Sequence, residues 1–252
     1  MKSTLNMDDA TYLPRLKFAL PQNVVLKNKE EEYKNFYVFK EKSQKDNSAY
    51  SQFIILGKNK KKKAEISSEL VSFYNALRLA AMRCHTGISI NKSNLGENVS
   101  YIHADSIMNV SFSKLESSIV VEKDFRHIAK NVDFFYNTHI KINNRQNAVI
   151  DMLTTAFYEQ SVWAKFFICI SSIEILIPKR HKKTKIGINK RCSDYIKNNL
   201  GEIYSNTFKK LYTIRCKFAH GNFNVALKDI PFEQAYDLAE RILYYQLGIE
   251  YN

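Results

Sequence analysis

A helical pattern that runs from about residue 144 to the C-terminus constrains the fold of this chain more than any other feature. Apolar residues recur there at steps of three and four, which places them on one face of each helix. The predicted helices cover about residues 145–160, 161–177, 185–199, 202–220 and 231–248. Pro178 and Gly221 end the second and fourth of these helices, and Pro231 opens the fifth. Because the connections are short, we expect an antiparallel bundle of four to five helices.

Residues 1–140 show a mixture of strand and helix patterns. Residues 35–42 and 50–56 are rich in aromatic and β-branched residues and predict two strands, and residues 101–112 are a weaker strand candidate. Apolar residues at helical spacing predict helices over residues 64–84 and 123–136. We therefore expect an α+β protein with two domains. Residues 1–140 form an N-terminal mixed α/β region that senses a signal or holds a substrate, and residues 141–252 form the helical bundle.

The chain is strongly basic, with a formal net charge of +13. This excess favours binding to a polyanion such as nucleic acid, although a general preference for surface lysine gives the same balance. Two basic runs are candidates for holding an RNA backbone without reading its bases, and the alternative is that they are solvated loops. Their basic residues are Lys58, Lys60, Lys61, Lys62, Lys63, Lys179, Arg180, Lys182 and Lys183.

The sequence gives no signal for a metal, a cofactor or a membrane span. The four cysteines form no C-x-x-C pair and no zinc-binding spacing, so we predict no metal site and no cofactor. The N-terminus lacks an apolar signal core, and the most apolar segment, residues 166–177, is too short to span a bilayer. We therefore expect a cytoplasmic protein with reduced thiols. Trp163 and the aromatic stripes of the bundle helices are assigned to the core.

Arg215 lies five residues before His220, near the end of the fourth predicted bundle helix. Arg215 can hold a phosphate through a planar fork of donors, and His220 can give or take a proton near neutral pH. Together these two side chains are the smallest set of groups that can cleave a phosphodiester without a metal. In the alternative, Arg215 forms a salt bridge with Glu174 and His220 caps the helix. Arg78 and His85 have a similar spacing in the N-terminal half and are interpreted as structural.

Two segments of the bundle carry a family resemblance. They are residues 172–176 (Ser-Ile-Glu-Ile-Leu) on the second predicted bundle helix and residues 215–221 (Arg-Cys-Lys-Phe-Ala-His-Gly) on the fourth. Together they resemble the HEPN superfamily, and most nearly its Apea-like branch. HEPN domains are bundles of four or five helices with an R-x4-6-H motif near the end of one helix. The resemblance covers about residues 144–250, and residues 75–80 extend it loosely into the N-terminal half.

The resemblance implies a metal-independent endoribonuclease of prokaryotic defence, such as a toxin, an abortive-infection protein or an antiviral effector. The implied partners are RNA and a defence-system protein or antitoxin. Because many HEPN proteins act as homodimers, the resemblance also implies a second copy of the chain. Arg215 and His220 match the catalytic motif, and Glu174 matches the acidic position on the earlier helix. Cys216 replaces the polar residue that often follows the motif arginine, and Asn222 stands where related toxins carry a modified tyrosine.

Helix geometry limits how the two motif residues can meet. Five residues advance about 7.5 Å and turn about 140° on an ideal helix, so Arg215 and His220 do not share one face. They converge if His220 lies at the helix end, where Gly221 redirects the chain, or if a second subunit completes the site. The expected reaction is attack by the RNA 2′-hydroxyl, which leaves a 2′,3′-cyclic phosphate. The alternative functions are a non-catalytic RNA- or partner-binding subunit and a nucleotide sensor.

Overall fold

The computed structural model describes residues 11–12, 15–21, 24–28, 30–40, 50–59, 61–86, 89–90, 123–157, 159–178, 187–221 and 230–251. The chain forms two compact units, unit 1 (Met1–Ile140) and unit 2 (Lys141–Asn252). Unit 1 contains both strands and helices, and the described residues of unit 2 form helices alone. The prediction of an α+β fold is therefore confirmed.

A five-stranded antiparallel sheet organises unit 1. The strands of this unit are β1 (Thr11–Tyr12), β2 (Arg15–Pro21), β3 (Val24–Val25), β4 (Glu30–Glu32), β5 (Phe36–Lys40), β6 (Tyr50–Gly57), β7 (Lys61–Lys62), β8 (Ser89–Ile90) and β9 (Lys123–Asp124). The strand order in the main sheet is β4-β5-β6-β2-β8, and each neighbouring pair is antiparallel. Two short pairs lie outside it, the antiparallel pair β1–β7 and the parallel pair β3–β9.

Two helices, α1 (Lys63–Arg83) and α2 (Phe125–Asn137), pack against each other and close the core of unit 1. Residues two apart on each strand point to the same face of a sheet, and here that face is apolar. The buried sheet residues are Leu16, Phe18, Phe36, Val38, Phe53 and Ile55. Phe53 stacks on Phe125 of α2 with ring centroids 5.6 Å apart, and Phe36 meets Phe73 of α1 edge to face. The core therefore lies between one face of the sheet and the two helices.

The sequence predictions for unit 1 succeed for the elements with strong patterns. The strands predicted at residues 35–42 and 50–56 are confirmed as β5 and β6, and the two predicted helices are confirmed as α1 and α2. Helix α2 begins later than predicted because Asp124 is its N-cap, with a side chain that accepts from the Arg126 N–H at 2.9 Å. Strands β2 and β4 and the two-residue strands β1, β3, β7, β8 and β9 were not predicted. The strand candidate at residues 101–112 lies outside the described residues.

Unit 2 contains the five predicted helices. They are α3 (Asn144–Ala156), α4 (Val162–Leu176), α5 (Ile188–Leu200), α6 (Glu202–Ala219) and α7 (Phe232–Leu247). Asn143 and Gln146 form a capping box at the start of α3, and the Ser161 side chain caps α4 by accepting from the Ala164 N–H. Gly248 ends α7 in the left-handed conformation, with φ of 68°. Each helix of the bundle thus has bounds close to those that the sequence indicates.

The sequence analysis expected all neighbouring helices to be antiparallel, and this expectation is wrong for one pair. Gln246, at the end of α7, bonds to the Leu176 carbonyl at the end of α4 at 2.9 Å. Near the opposite ends of these helices, Lys165 lies over the Phe232 ring, 5.5 Å from its centroid. Helices α4 and α7 therefore run parallel. Gln246 also accepts a bond at its carbonyl from Gln146 near the start of α3, so α3 runs against α7.

Helices α5 and α6 form a tight hairpin. Gly201 alone connects them, with φ of 105°, a conformation that favours glycine. The buried Ser205 hydroxyl donates to the Ser193 carbonyl at 2.9 Å, and Lys197 pairs with Glu202 across the turn. Among the described residues, no helix has the length and apolar character needed to cross a membrane.

Candidate active site at the end of helix α6

The C-terminal end of α6 exposes His220. Ala219 is the last helical residue, and His220 is the C-cap, with its N–H donating to the Cys216 carbonyl at 3.1 Å. Gly221 follows with φ of 78° and donates its N–H to the Phe218 carbonyl. Because side chains with a Cβ disfavour positive φ, glycine suits this helix end. The chain turns directly after His220, which leaves the imidazole exposed to solvent.

Arg215 is half-buried on α6, and its guanidinium lies 5.5 Å from the centroid of the Tyr212 ring. This cation–π contact orients the side chain without neutralising its charge. The ion pairs formed by the described residues involve other side chains, and none of them joins Arg215 to Glu174. The structural alternative in which these two residues form a salt bridge therefore finds no support in the described part of the chain.

A polar cluster, defined here as Glu174, Arg191, Cys192 and Tyr212, joins helices α4, α5 and α6 beside Arg215. Burial raises the pKa of Tyr212, the Glu174 carboxylate raises it further, and the Arg215 guanidinium opposes the shift. Burial also raises the pKa of the Cys192 thiol to about 11, an effect that Arg191 opposes and Glu174 strengthens. The four side chains of the polar cluster and Arg215 are thus close enough to influence one another electrostatically.

Two members of the polar cluster have unused hydrogen-bonding capacity. The Glu174 Oε1 and Arg191 Nε atoms are buried, and neither has a hydrogen-bond partner among the described residues. A buried polar atom without a partner costs about 1–3 kcal/mol, so such atoms call for an explanation. Arg191 was not singled out from the sequence, because it belongs to no motif and its spacing from Arg215 is not regular. A second arginine therefore lies in the cluster beside Arg215.

Two further residues were expected to support the motif. Cys216 is half-buried with a free thiol, and its backbone carbonyl accepts the bond from the His220 N–H. A thiol is a weak hydrogen-bond donor and acceptor, so Cys216 is a poor substitute for the polar residue common at this position. Asn222 lies outside the described residues.

Three aromatic side chains next to the motif are more exposed than the sequence analysis expected. Trp163 was assigned to the core, but it is half-buried at the start of α4. It stacks on Phe218 with ring centroids 3.7 Å apart and an interplanar angle of 23°, and we call these two residues the aromatic pair. Phe167 lies 5.4 Å from Phe218 and is also half-buried. The sequence does contain one indication that an aromatic ring lies near the motif, because Phe218 stands between Arg215 and His220.

The described lysines of the first basic run contact carboxylates. Lys58 pairs with Glu32 at 2.6 Å and lies over the Tyr37 ring, and Lys61 pairs with Glu69 at 3.7 Å. Exposed ion pairs of this kind are weak, so they orient these lysines without removing them from contact with a polyanion. The remaining basic residues have no described side chain: Lys60, Lys62, Lys63, Lys179, Arg180, Lys182 and Lys183.

Unit 1 contains the second arginine–histidine pair. Arg78 is 2% exposed and its guanidinium lies 4.9 Å from the centroid of the Tyr74 ring, as expected for a structural residue. A cavity of about 500 Å³ adjoins the end of α1, and its lining residues are Arg83, Cys84, His85, Asp124, His127 and Ile128. Within the described ranges, no group of three histidine, cysteine or carboxylate side chains is arranged to bind a metal ion.

Comparison with known proteins adds no family to these observations. A scan against protein-family models finds no match, and comparisons with curated proteins and with solved structures find none either. The HEPN resemblance of residues 172–176 and 215–221 therefore stays an expectation drawn from the sequence.

Proposed function

We propose that this protein is a metal-independent endoribonuclease of the HEPN type that acts as a toxin or antiviral effector. The observation that carries the proposal is an exposed His220 at the end of the helix that also contains Arg215, five residues earlier. No carboxylate of the described residues forms an ion pair with Arg215, so its charge is available to a phosphate. The net charge of +13 supports a polyanionic substrate.

The chemistry uses the RNA's own 2′-hydroxyl as the nucleophile. His220 removes the 2′-hydroxyl proton, the 2′-oxygen attacks the adjacent phosphorus, and the bond to the 5′-oxygen breaks. The 5′-oxygen takes a proton from solvent water as it leaves. Arg215 stabilises the charge that grows on the non-bridging oxygens. The products are a 2′,3′-cyclic phosphate and a 5′-hydroxyl, and DNA is not a substrate because it lacks the nucleophile.

A homodimer fits the separation of the two motif residues. His220 lies beyond the last turn of α6, and an ideal helix turns about 140° between positions five apart. A two-fold axis near this helix end brings both copies of Arg215 and His220 into one groove. Each phosphate then meets an arginine from one protomer and a histidine from its partner.

The test is RNA cleavage by the purified full chain in excess chelator, with Arg215→Ala and His220→Ala alongside. We expect the His220 change to lower the cleavage rate by about 10²–10⁴-fold and the Arg215 change by about 10²–10³-fold. Exposed residues of the same types provide matched controls, and Arg145→Ala and His127→Ala should leave the rate unchanged. Cleavage that needs added metal, or that survives both motif changes, contradicts the proposal.

Cys216 favours a second candidate function, a non-catalytic RNA- or partner-binding subunit. The thiol follows Arg215 directly and is a weak partner for a phosphate oxygen or a water molecule. A binding subunit of this kind retains RNA in a salt-dependent manner, because binding releases counterions from the phosphates. Recovery of intact RNA from such a complex, with no cyclic phosphate ends, supports this candidate over the first.

A further inference from the structure

The aromatic pair lies beside the motif. Phe218 is three residues after Arg215 on α6, and residues at this spacing are neighbours on a helix surface. His220 follows two residues later, at the exposed helix end. Trp163 approaches from the start of α4 and covers the Phe218 ring at 3.7 Å. A stacked aromatic surface therefore begins one helical turn from Arg215, the residue that we assign to the scissile phosphate.

The aromatic pair is incompletely buried, although its rings are large enough to fill a core. Trp163, Phe167 and Phe218 are all half-buried, whereas Phe166 and Phe208 on the same two helices are fully buried. Helices α4 and α6 thus direct one set of aromatic rings into the core and a second set toward the seam between them. Keeping an indole partly in water gives up hydrophobic stabilisation, so a ligand that covers it gains that contribution.

A cation near a partly exposed aromatic ring is the combination that single-stranded nucleic acids bind. The cation contacts a backbone phosphate, and an unpaired base stacks on the ring. Bases within a duplex are already stacked on one another, so the ring selects unpaired nucleotides. The basic balance of the chain and the free charge of Arg215 give this ligand an advantage over an apolar partner.

We infer that Trp163, supported by Phe218, stacks an unpaired nucleobase next to the phosphate held by Arg215, and so restricts the substrate to single-stranded RNA. This inference rests on the proposed function for the position of the scissile phosphate. The stacking contact itself does not need the reaction to occur.

Trp163 is the sole tryptophan of the chain, so its fluorescence reports on this site alone. The test titrates the full-length protein with a single-stranded 2′-O-methyl RNA of about 12 nucleotides, a length within the range that one single-strand site covers. Methylation removes the nucleophile, so this RNA binds without being cut. The comparison ligand is a sugar–phosphate strand of the same length that lacks bases.

We expect the base-containing strand to quench Trp163 and the base-free strand to leave its emission unchanged. Because the Trp163 variants lack tryptophan, their binding is measured by fluorescence anisotropy of a dye-labelled strand. Trp163→Ala should weaken binding of the base-containing strand by about 5- to 150-fold, which corresponds to about 1–3 kcal/mol. Trp163→Phe keeps an aromatic ring and should retain most of the affinity, which also controls for loss of folding. Tyr245→Ala removes an exposed aromatic ring on α7 and should bind like the unchanged protein.

Several outcomes overturn the inference and leave the proposed function standing. They are RNA binding with unchanged emission, equal quenching by both strands, and efficient cleavage of duplex RNA. A change in emission with protein concentration alone, without RNA, shows that a second copy covers the aromatic pair and also overturns it. In contrast, quenching by the base-containing strand together with failure to cut unmethylated RNA contradicts the proposed function and supports the stacking contact.

Discussion

The four cysteines show how burial changes the reactivity of side chains of the same type. Cys169 and Cys192 are buried, and Cys84 and Cys216 are half-buried. Burial raises the pKa of Cys192 to about 11 and raises that of Cys169 as well. Only the thiolate reacts with alkylating agents, so a raised pKa slows the reaction in addition to the steric protection.

This difference predicts the order in which the thiols react. At pH 8 only about one in a thousand Cys192 side chains is a thiolate, because that pH is about three units below its pKa. We expect iodoacetamide to label Cys216 in the native protein well before Cys192, with mass spectrometry as the readout. In urea, all four cysteines should react at similar rates. Native labelling of Cys192 as fast as Cys216 contradicts the packing described for α5.

Helix ends are the elements on which the site depends most. Gly221 adopts φ of 78° directly after the exposed His220, and a residue with a Cβ in this conformation costs roughly 1–2 kcal/mol. Gly221 therefore affects both the stability of the left-handed turn and the exposure of the His220 imidazole.

We predict that Gly221→Ala lowers the free energy of unfolding of unit 2 by roughly 1–2 kcal/mol and also weakens cleavage. Gly187→Ala is the matched control, because Gly187 has φ of −59° and open space around its Cα. There, the loss of a better N-cap and the gain from a stiffer unfolded chain offset each other to within about 0.5 kcal/mol. Urea unfolding followed by circular dichroism measures both. Equal effects at the two glycines contradict the role assigned to the turn.

The elements also differ in how far the sequence predicts them. Strand β2 has a detectable pattern, since Leu16 and Phe18 alternate with Arg15 and Lys17, but it ends at a proline, a residue that is rare inside strands. Strand β4 is Glu30–Glu32 and has no local signal, because its pairing with β5 alone makes it a strand. The bundle helices are predicted well because each has a long apolar stripe. Periodicity identifies the inner face of a helix but not its depth, so the half-burial of Trp163 and Phe218 could not be predicted.

The candidate site follows the same division. The motif residues and the helix end at Gly221 can be identified in the sequence, because they are close along the chain. The contribution of Arg191 from α5 depends on how three helices pack, and no spacing in the sequence encodes it. At the scale of the whole molecule, the proposal depends on a second copy of the chain.

The proposed homodimer predicts complementation between two inactive variants. Arg215→Ala and His220→Ala protomers, co-expressed with different tags, form a mixed dimer in which one composite site has both an intact arginine and an intact histidine. With random pairing, half of the dimers are mixed and each has one of two sites, so we expect about a quarter of the unchanged activity. Purification through both tags removes the unmixed dimers and should raise the activity to about half that of the unchanged protein. No recovery in verified mixed dimers places the complete site within one chain.

The one-residue connection at Gly201 and the packing of α5 against α6 couple the positions of these two helices. Because the connection has no spare length, any tilt of α6 against α4 must carry α5 with it. A substrate that tightens the seam next to Arg215 would then displace the exposed start of α5 at Ile188, which is 40% exposed. A molecule bound at Ile188 would therefore act on the candidate site through α6, without contacting Arg215 or His220.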